Sequence, residues 1–262
     1  MMNTERRIWL AQEIERTRIE SSPAWEGFEV LQEAQLGDVL FRVQPGFAVA
    51  MLRCFDPAHV DERLDEVIAQ VEKTVKWCLW VILPSSQPSD LAERLIVRNF
   101  SLNMGWDGLA MDDLSQEWLC NPDVQIESLS WDNVDEYAKQ CSGSNDPQHQ
   151  ARVFSNAHRY LQTSPRQVQI FVARLDGVVA GYAVLRIEPN KVANLCNALT
   201  APEFRRRGVY TSLVAHRLTL AREAGCTAAI IMARTTTSSP ILVKRGFVPV
   251  CRVSGYTRKH PR

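Results

Sequence analysis

A short pattern occurs twice in this chain, as Ile96-Val97-Arg98-Asn99-Phe100 and as Val243-Lys244-Arg245-Gly246-Phe247, with 147 residues between Phe100 and Phe247. Self-similarity of this kind limits the fold more than local propensity does, because each copy must bury its apolar faces in the same way. Carried back by 147, the apolar run Asn194 to Leu199 falls on Phe47 to Leu52. The helical pattern after Gly208 falls on the one after Asp61. A divergent duplication explains this order; a chance match of two common β-α-β-α stretches is the alternative. The polar turn Cys120-Asn121-Pro122-Asp123 separates the copies, giving expected domains 1–122 and 123–262.

The first half opens with a charged amphipathic helix over Thr4 to Ile19, stopped by Ser21-Ser22-Pro23. Strands are expected over Phe28–Gln32, Val39–Val43 and Phe47–Leu52, divided by Gly37 and Pro45-Gly46. Asp56-Pro57 reads as the capped start of a helix carrying Val60, Leu64, Val67, Ile68, Val71 and Val75 on one side. Trp77–Leu83 is a strand, Asp90–Arg98 a helix, and Phe100–Met104 with Leu109–Met111 a terminal pair. In the second half, Val124–Leu129 is a strand, and two helices, Trp131–Gln140 and Gln148–Leu161, flank a turn over Ser142–Pro147. A hairpin turns at Asp176-Gly177 between Gln167–Arg174 and Val178–Ile187. Thr227–Ala233, a short helix over Ser238–Arg245, and a closing pair, Val248–Val253 with Gly255–Arg258, complete the chain.

The chemistry concentrates between Lys191 and Ala224. Ala193 to Thr200 has the apolar character of a buried strand, and Leu213, Val214, Arg217, Leu218, Leu220, Ala221 and Ala224 follow the spacing of a packed helix face. Arg205, Arg206, Arg207 and Gly208 lie between them, at a helix end that already carries partial positive charge. Either this is a solvated basic turn, or an anion sits there. A diphosphate suits it, gripped by arginine forks and approached closely by a residue without a Cβ.

Pro202-Glu203-Phe204-Arg205-Arg206-Arg207-Gly208-Val209, with a strand before and a helix after, resembles motif A of the GNAT acyltransferase superfamily. In that family an Arg/Gln-x-x-Gly-x-Gly/Ala loop holds the pyrophosphate of acyl-coenzyme A. Arg205, Gly208 and Tyr210 take its three positions, Tyr210 standing where the family has Gly or Ala. Leu242 to Phe247 is similar to the late helix of the family, which ends in Gly-Phe, and the likeness covers roughly residues 124 to 258. It implies an α/β chain with a mixed α+β sheet, two pseudo-repeated halves of which the first is degenerate, and acetyl-CoA as co-substrate. It also implies cofactor contacts from Ala198, Leu199, Thr200, Arg205, Arg206, Arg207, Gly208, Val209, Tyr210, Thr211 and Thr235. The first half offers Ala58, His59, Val60 and Asp61 in place of the arginines and glycine, so one acyl-CoA site per chain is expected.

The implied reaction is acetyl transfer to a primary amine of a small molecule or peptide. Members commonly carry a glutamate early on the central strand and a tyrosine four residues before the late glycine. Here Ala193 and Asn194 and then Leu242 stand in those places, and none can move a proton. The remaining candidates for that task are Tyr256, then Tyr210, Cys196 and Glu188, Cys196 also reading as a small core residue. Asn197 is a catalytic candidate only as a hydrogen-bond partner of a carbonyl, since an amide cannot act as a base. His149, Arg152, Asn156, His158 and Arg159 border the acceptor groove in the resemblance, or form the wet face of a helix. A non-catalytic acyl-CoA-binding module is the competing reading.

Thirty basic and thirty acidic residues cancel, so no global field attracts nucleic acid or an anionic membrane. Seven scattered cysteines and five dispersed histidines suggest neither a disulfide framework nor a metal site. Met1 to Glu20 lacks the apolar core of a secretory signal, and the chain reads as cytoplasmic, a monomer or homodimer.

Overall fold

The structure, a computed structural model, describes residues 2–20, 32–44, 47–141, 147–163 and 167–258. The expected breaks at Ser21-Ser22-Pro23 and Pro45-Gly46, most of the strand expected over 28–32, and the turn over 142–146 lie outside these residues. Helix α1 spans Thr4–Glu20. The first half continues with β1 (Gln32–Leu36), β2 (Val39–Gln44), β3 (Phe47–Cys54), α2 (Val60–Thr74), β4 (Cys78–Gln87), α3 (Leu91–Val97) and β5 (Phe100–Met111). The second runs β6 (Gln125–Ser128), α4 (Val134–Cys141), α5 (Pro147–Thr163), β7 (Val168–Leu175), β8 (Val178–Ile187), β9 (Val192–Thr200), α6 (Val209–Glu223), β10 (Ala228–Arg234), α7 (Ser238–Val243) and β11 (Val248–Arg258).

All eleven strands join one mixed sheet, in the order β1-β2-β3-β4-β11-β5-β10-β9-β8-β7-β6. The order places β11, from the second half, between β4 and β5 of the first. Strand β5 in turn separates β11 from β10, so each half lays its last strand against the other half's preceding strand. Strands β5 and β11 are antiparallel, and Trp106 pairs with Val253, residues 147 apart. Equivalent residues facing each other mark a local two-fold axis at that pair. The register skips Asn103 on β5 and Val250 on β11, again 147 apart. A bulge kept at equivalent points is the strongest structural trace of the repeat.

Each bulge also flips which side chains face which way. With that flip, Phe100 and Tyr256 point to the same side as Leu109, Met111 and Phe247. Helices α2, α3, α6 and α7 cover this side, and α1, α4 and α5 cover the other. The core of the first half packs Trp80 edge-on to Phe100, with ring centroids 5.6 Å apart, beneath Leu64, Val67, Val71, Leu91 and Leu95. That of the second sets Leu213, Val214, Leu218 and Ala221 of α6 on Ala193, Leu195, Ala229 and Ile231.

Three local expectations differ. Phe100–Met104 and Leu109–Met111 form one strand, as do Val248–Val253 and Gly255–Arg258. Gly255 lies inside the continuous β11: a Cβ there would stand 3.0 Å from both Trp106 Cζ3 and Leu79 Cδ1, so the glycine permits a close approach inside the sheet. Asp56 does not cap α2. Its carboxylate accepts from Ala58 N (3.0 Å) and contacts His59 Nδ1 (3.0 Å), forming a turn before a helix that starts at Val60.

Candidate active site

Strands β9 and β10 run parallel but are paired only from Val192↔Ala228 to Asn194↔Ile230, although β9 continues to Thr200 and β10 to Arg234. Beyond Asn194 the two ribbons part, opening a gap in the middle of the sheet. Pairing of β9 with β8 is kept, with a bulge where Val184↔Cys196 steps to Ala183↔Ala198. Asn197 occupies that step with φ +22°, a backbone angle that side chains other than glycine rarely take. Ala198, Leu199 and Thr200 follow on β9, and Thr200 Oγ1 is buried with no hydrogen-bond partner among the described residues.

Above this gap the chain turns through Pro202–Phe204 into α6. Gly208 is the N-cap with φ +85°, and its carbonyl accepts the first backbone bond of the helix from Ser212 N (2.9 Å). The N–H groups of Val209, Tyr210 and Thr211 precede that bond and have no partner within the helix. Thr211 Oγ1 donates to Gly208 O (2.9 Å). Arg205 and Arg206 are exposed, and Arg206 takes φ +62°. A diphosphate fits this end: free helix donors, two exposed guanidiniums and an open gap leading away from them.

Two expectations for the turn need correcting. Arg207 is already engaged, 2.9 Å from Asp176 in the β7–β8 turn and 5.7 Å over the Phe204 ring. The bare side of Gly208 faces Asn121, whose Cβ would lie 2.8 Å from an added Cβ and whose Nδ2 donates to Arg207 O (2.9 Å). The glycine thus serves the connector between the halves as well as the left-handed turn. Tyr210 does not crowd the helix end. Its ring packs into the core, and its phenol bonds the side chain of Ser238 at the start of α7; burial raises its pKa. Thr235 follows β10, its N–H donating to Gly105 O (3.1 Å).

Tyr256 is not brought to this place. It is 7% exposed, pairs with Trp80 and Leu102, and packs in the core of the first half, because β11 crosses into that half's sheet. Its repeat equivalent, Leu109, is a core residue too. Glu188 is likewise committed. It is buried against Arg186 and 3.3 Å from Arg16 on α1, near the start of β9 and away from the gap. Cys196 packs with Tyr182 and Val184 under α4 and α5. On α5, Asn156 is buried, Arg159 half-buried, and His158 lies 3.6 Å from Asp135 and against the Phe154 ring. The side chains of His149 and Arg152 lie outside the described residues.

The structure also shows what the sequence reading missed. Arg217, assigned there only to a packed helix face, is fully buried and donates to main-chain carbonyls at the β9 bulge. A guanidinium at an otherwise apolar position was its sequence signal. Asn121 had none.

In the first half the corresponding gap is closed. Strands β3 and β4 are paired continuously from Ala48↔Cys78 to Leu52↔Ile82 and again at Cys54↔Gln87. Asp61 in the first turn of α2 is paired with Arg94 of α3 and, at 2.9 Å, with Arg98 just after it, which hold its carboxyl below the usual carboxylate range. Among the described residues no group of three His, Cys, Asp or Glu side chains is placed to hold a metal, and no helix is long and apolar enough to cross a membrane.

Residues 131–247 match the sequence profile described as "Acetyltransferase (GNAT) family". No curated protein matches this sequence closely enough to stand as a relative. Among solved structures the chain is similar to a GCN5-related N-acetyltransferase from Kribbella flavida, with TM-score 0.63 and 17% identity over 100% of this chain and 98% of that one. A functionally unknown conserved protein from Staphylococcus epidermidis gives TM-score 0.60 and 11% identity over 93% and 100%. A tandem GNAT protein from the clavulanic acid biosynthesis pathway gives 0.58 and 16% over 99% and 97%.

Proposed function

We infer, from a chain whose residues 131–247 match the profile of the GNAT acetyltransferase family and whose whole length is similar in fold to tandem GNAT proteins, that it is an N-acyltransferase. It moves an acetyl group from acetyl-CoA to a primary amine of a small molecule or peptide. The observation that carries this reading is the parting of β9 and β10 beside the free N-terminus of α6, in the second half only.

In this reading the α6 N–H groups with Arg205 and Arg206 bind the diphosphate, and the pantetheine arm enters the gap. The backbone at the Asn197 bulge then meets the thioester carbonyl, where an N–H donor favours the oxyanion that develops during attack. The amine nitrogen bonds to the carbonyl carbon, the C–S bond breaks, and the thiolate takes a proton. An amine near pKa 10.4 must lose a proton first. With Leu242 fully buried and Tyr256 in the distant core, water carries that proton, and the protein contributes mainly position and carbonyl polarisation.

The missing proton-transfer side chains equally suit a module that binds acyl-CoA without turning it over. Thiol release from acetyl-CoA, followed with a panel of primary amines, separates the two. Amine-dependent release supports the enzyme; binding of acetyl-CoA with no release on any amine supports the module.

A further inference from the structure

Arg217 lies in the third turn of α6 and is 0% exposed, yet among the described residues no carboxylate pairs with it. Its Nε donates to Leu213 O (3.0 Å) within the helix. Its Nη1 donates to carbonyls on two strands, Val184 O (3.0 Å) and Cys196 O (3.1 Å), and its Nη2 is buried without a hydrogen-bond partner among the described residues. A buried cation lacking a counter-charge is costly, and leucine or methionine would fill a helix face without that penalty. Packing therefore does not account for an arginine here.

The two carbonyls do. Val184 and Cys196 are the pair at which the β8–β9 register breaks before Asn197. A bulge disrupts the ladder and leaves backbone groups in need of partners. Arg217 supplies donors to both strands at that step, from the α6 side. The first half provides an internal control. Strands β2 and β3 are paired there without a break, from Val39↔Leu52 to Gln44↔Phe47. The buried face of α2 is Val60, Leu64, Val67, Ile68 and Val71, with no cation. A β-strand bulge and an arginine on the buried face of the covering helix occur together, in the half whose sheet is open.

The geometry points to Arg217 as a positioning residue: its guanidinium fixes the β9 bulge so that the backbone there presents its N–H to the thioester carbonyl of a bound acyl-CoA. This rests on the acyl-CoA reading above. It separates two parts of the ligand, since the diphosphate is bound at the start of α6 and only the acetyl carbonyl depends on the bulge.

The test uses the full chain, coenzyme A and acetyl-CoA carrying 13C at the carbonyl. Calorimetry gives affinity for coenzyme A, and isotope-edited infrared spectroscopy gives the carbonyl stretch of the bound thioester. The unchanged protein should shift that band to lower frequency than in solution. Arg217→Met should bind coenzyme A as before and lose most of the shift, and Arg217→Lys, with a single donor group, should keep part of it. A full shift in Arg217→Met overturns the inference, as does an unchanged protein that binds acetyl-CoA with no shift. If Arg217→Met does not fold, Arg217→Lys decides: a reduced shift supports the role and a full one refutes it. Failure of the unchanged protein to bind coenzyme A at all would instead remove the acyl-CoA reading.

Discussion

Cutting the chain after residue 122 should leave neither half able to fold alone, because β5 and β11 are each built into the other half's sheet. Without β5, the second half loses Leu109 and Met111, which are 0% and 3% exposed and pack with the α6 face. Their burial is worth about 2 kcal/mol each. The same cut removes the ladder from Ala229↔Met111 to Arg234↔Trp106 and the ladder from β5 to β11, with bonds worth about 1 kcal/mol each net. Together the loss is on the order of 20 kcal/mol, at or above the roughly 5–15 kcal/mol net stability of a typical domain. Circular dichroism and thermal melting of 123–262 should show no cooperative transition. Co-expression with 1–122 should restore one, as a non-covalent pair. A cooperative melt of monomeric 123–262 near the temperature of the full chain would refute the dependence of one half on the other and would mean that β11 folds back to pair with β10.

Four further outcomes are expected. Arg205→Ala and Arg206→Ala should each weaken coenzyme A binding roughly tenfold, the lower end for a charged hydrogen bond because these side chains are exposed, and should leave acetyl-pantetheine binding unchanged by calorimetry. Arg207→Ala, which removes the surface pair with Asp176, should change stability by under about 1 kcal/mol in denaturant titration and affect coenzyme A less than the other two. Native mass spectrometry should find one coenzyme A per chain; two would contradict the closed β3–β4 ladder. Burial pushes the Cys78 thiol up to about 12 and that of Cys251 to about 11, from an ordinary 9.0. Above that ordinary value the folded state keeps protons that the unfolded state has lost. Stability is therefore full below pH 9 and falls as pH rises, by at most about 1.4 kcal/mol per pH unit for each thiol. Denaturant midpoints across that range should show the fall, and Cys78→Ala should flatten it; an unchanged slope would refute the assignment.

Much of the candidate site was legible because it is local. The strand, arginine turn and helix of 192–223 depend on neighbours in sequence, and β9 does lead from its gap with β10 through the turn at Pro202–Phe204 into α6. What failed depended on distant chain. Val248–Val253 and Gly255–Arg258 read as two strands because the close approach of Gly255 to Trp106, which lets β11 run on unbroken, leaves no mark in the residues beside it. Tyr256 looked available because nothing near it says which sheet β11 will enter.

The amino-acid sequence determined the repeat, the element order and the cationic helix start, since periodicity and short-range charge act between residues a few positions apart. Tertiary structure alone decided the exchange of β5 and β11, the opening of one β9–β10 gap while β3–β4 stays closed, and the burial of Arg217 under the bulge. Those are choices among backbone partners far apart in the chain, and backbone hydrogen-bonding groups are the same in every residue but proline.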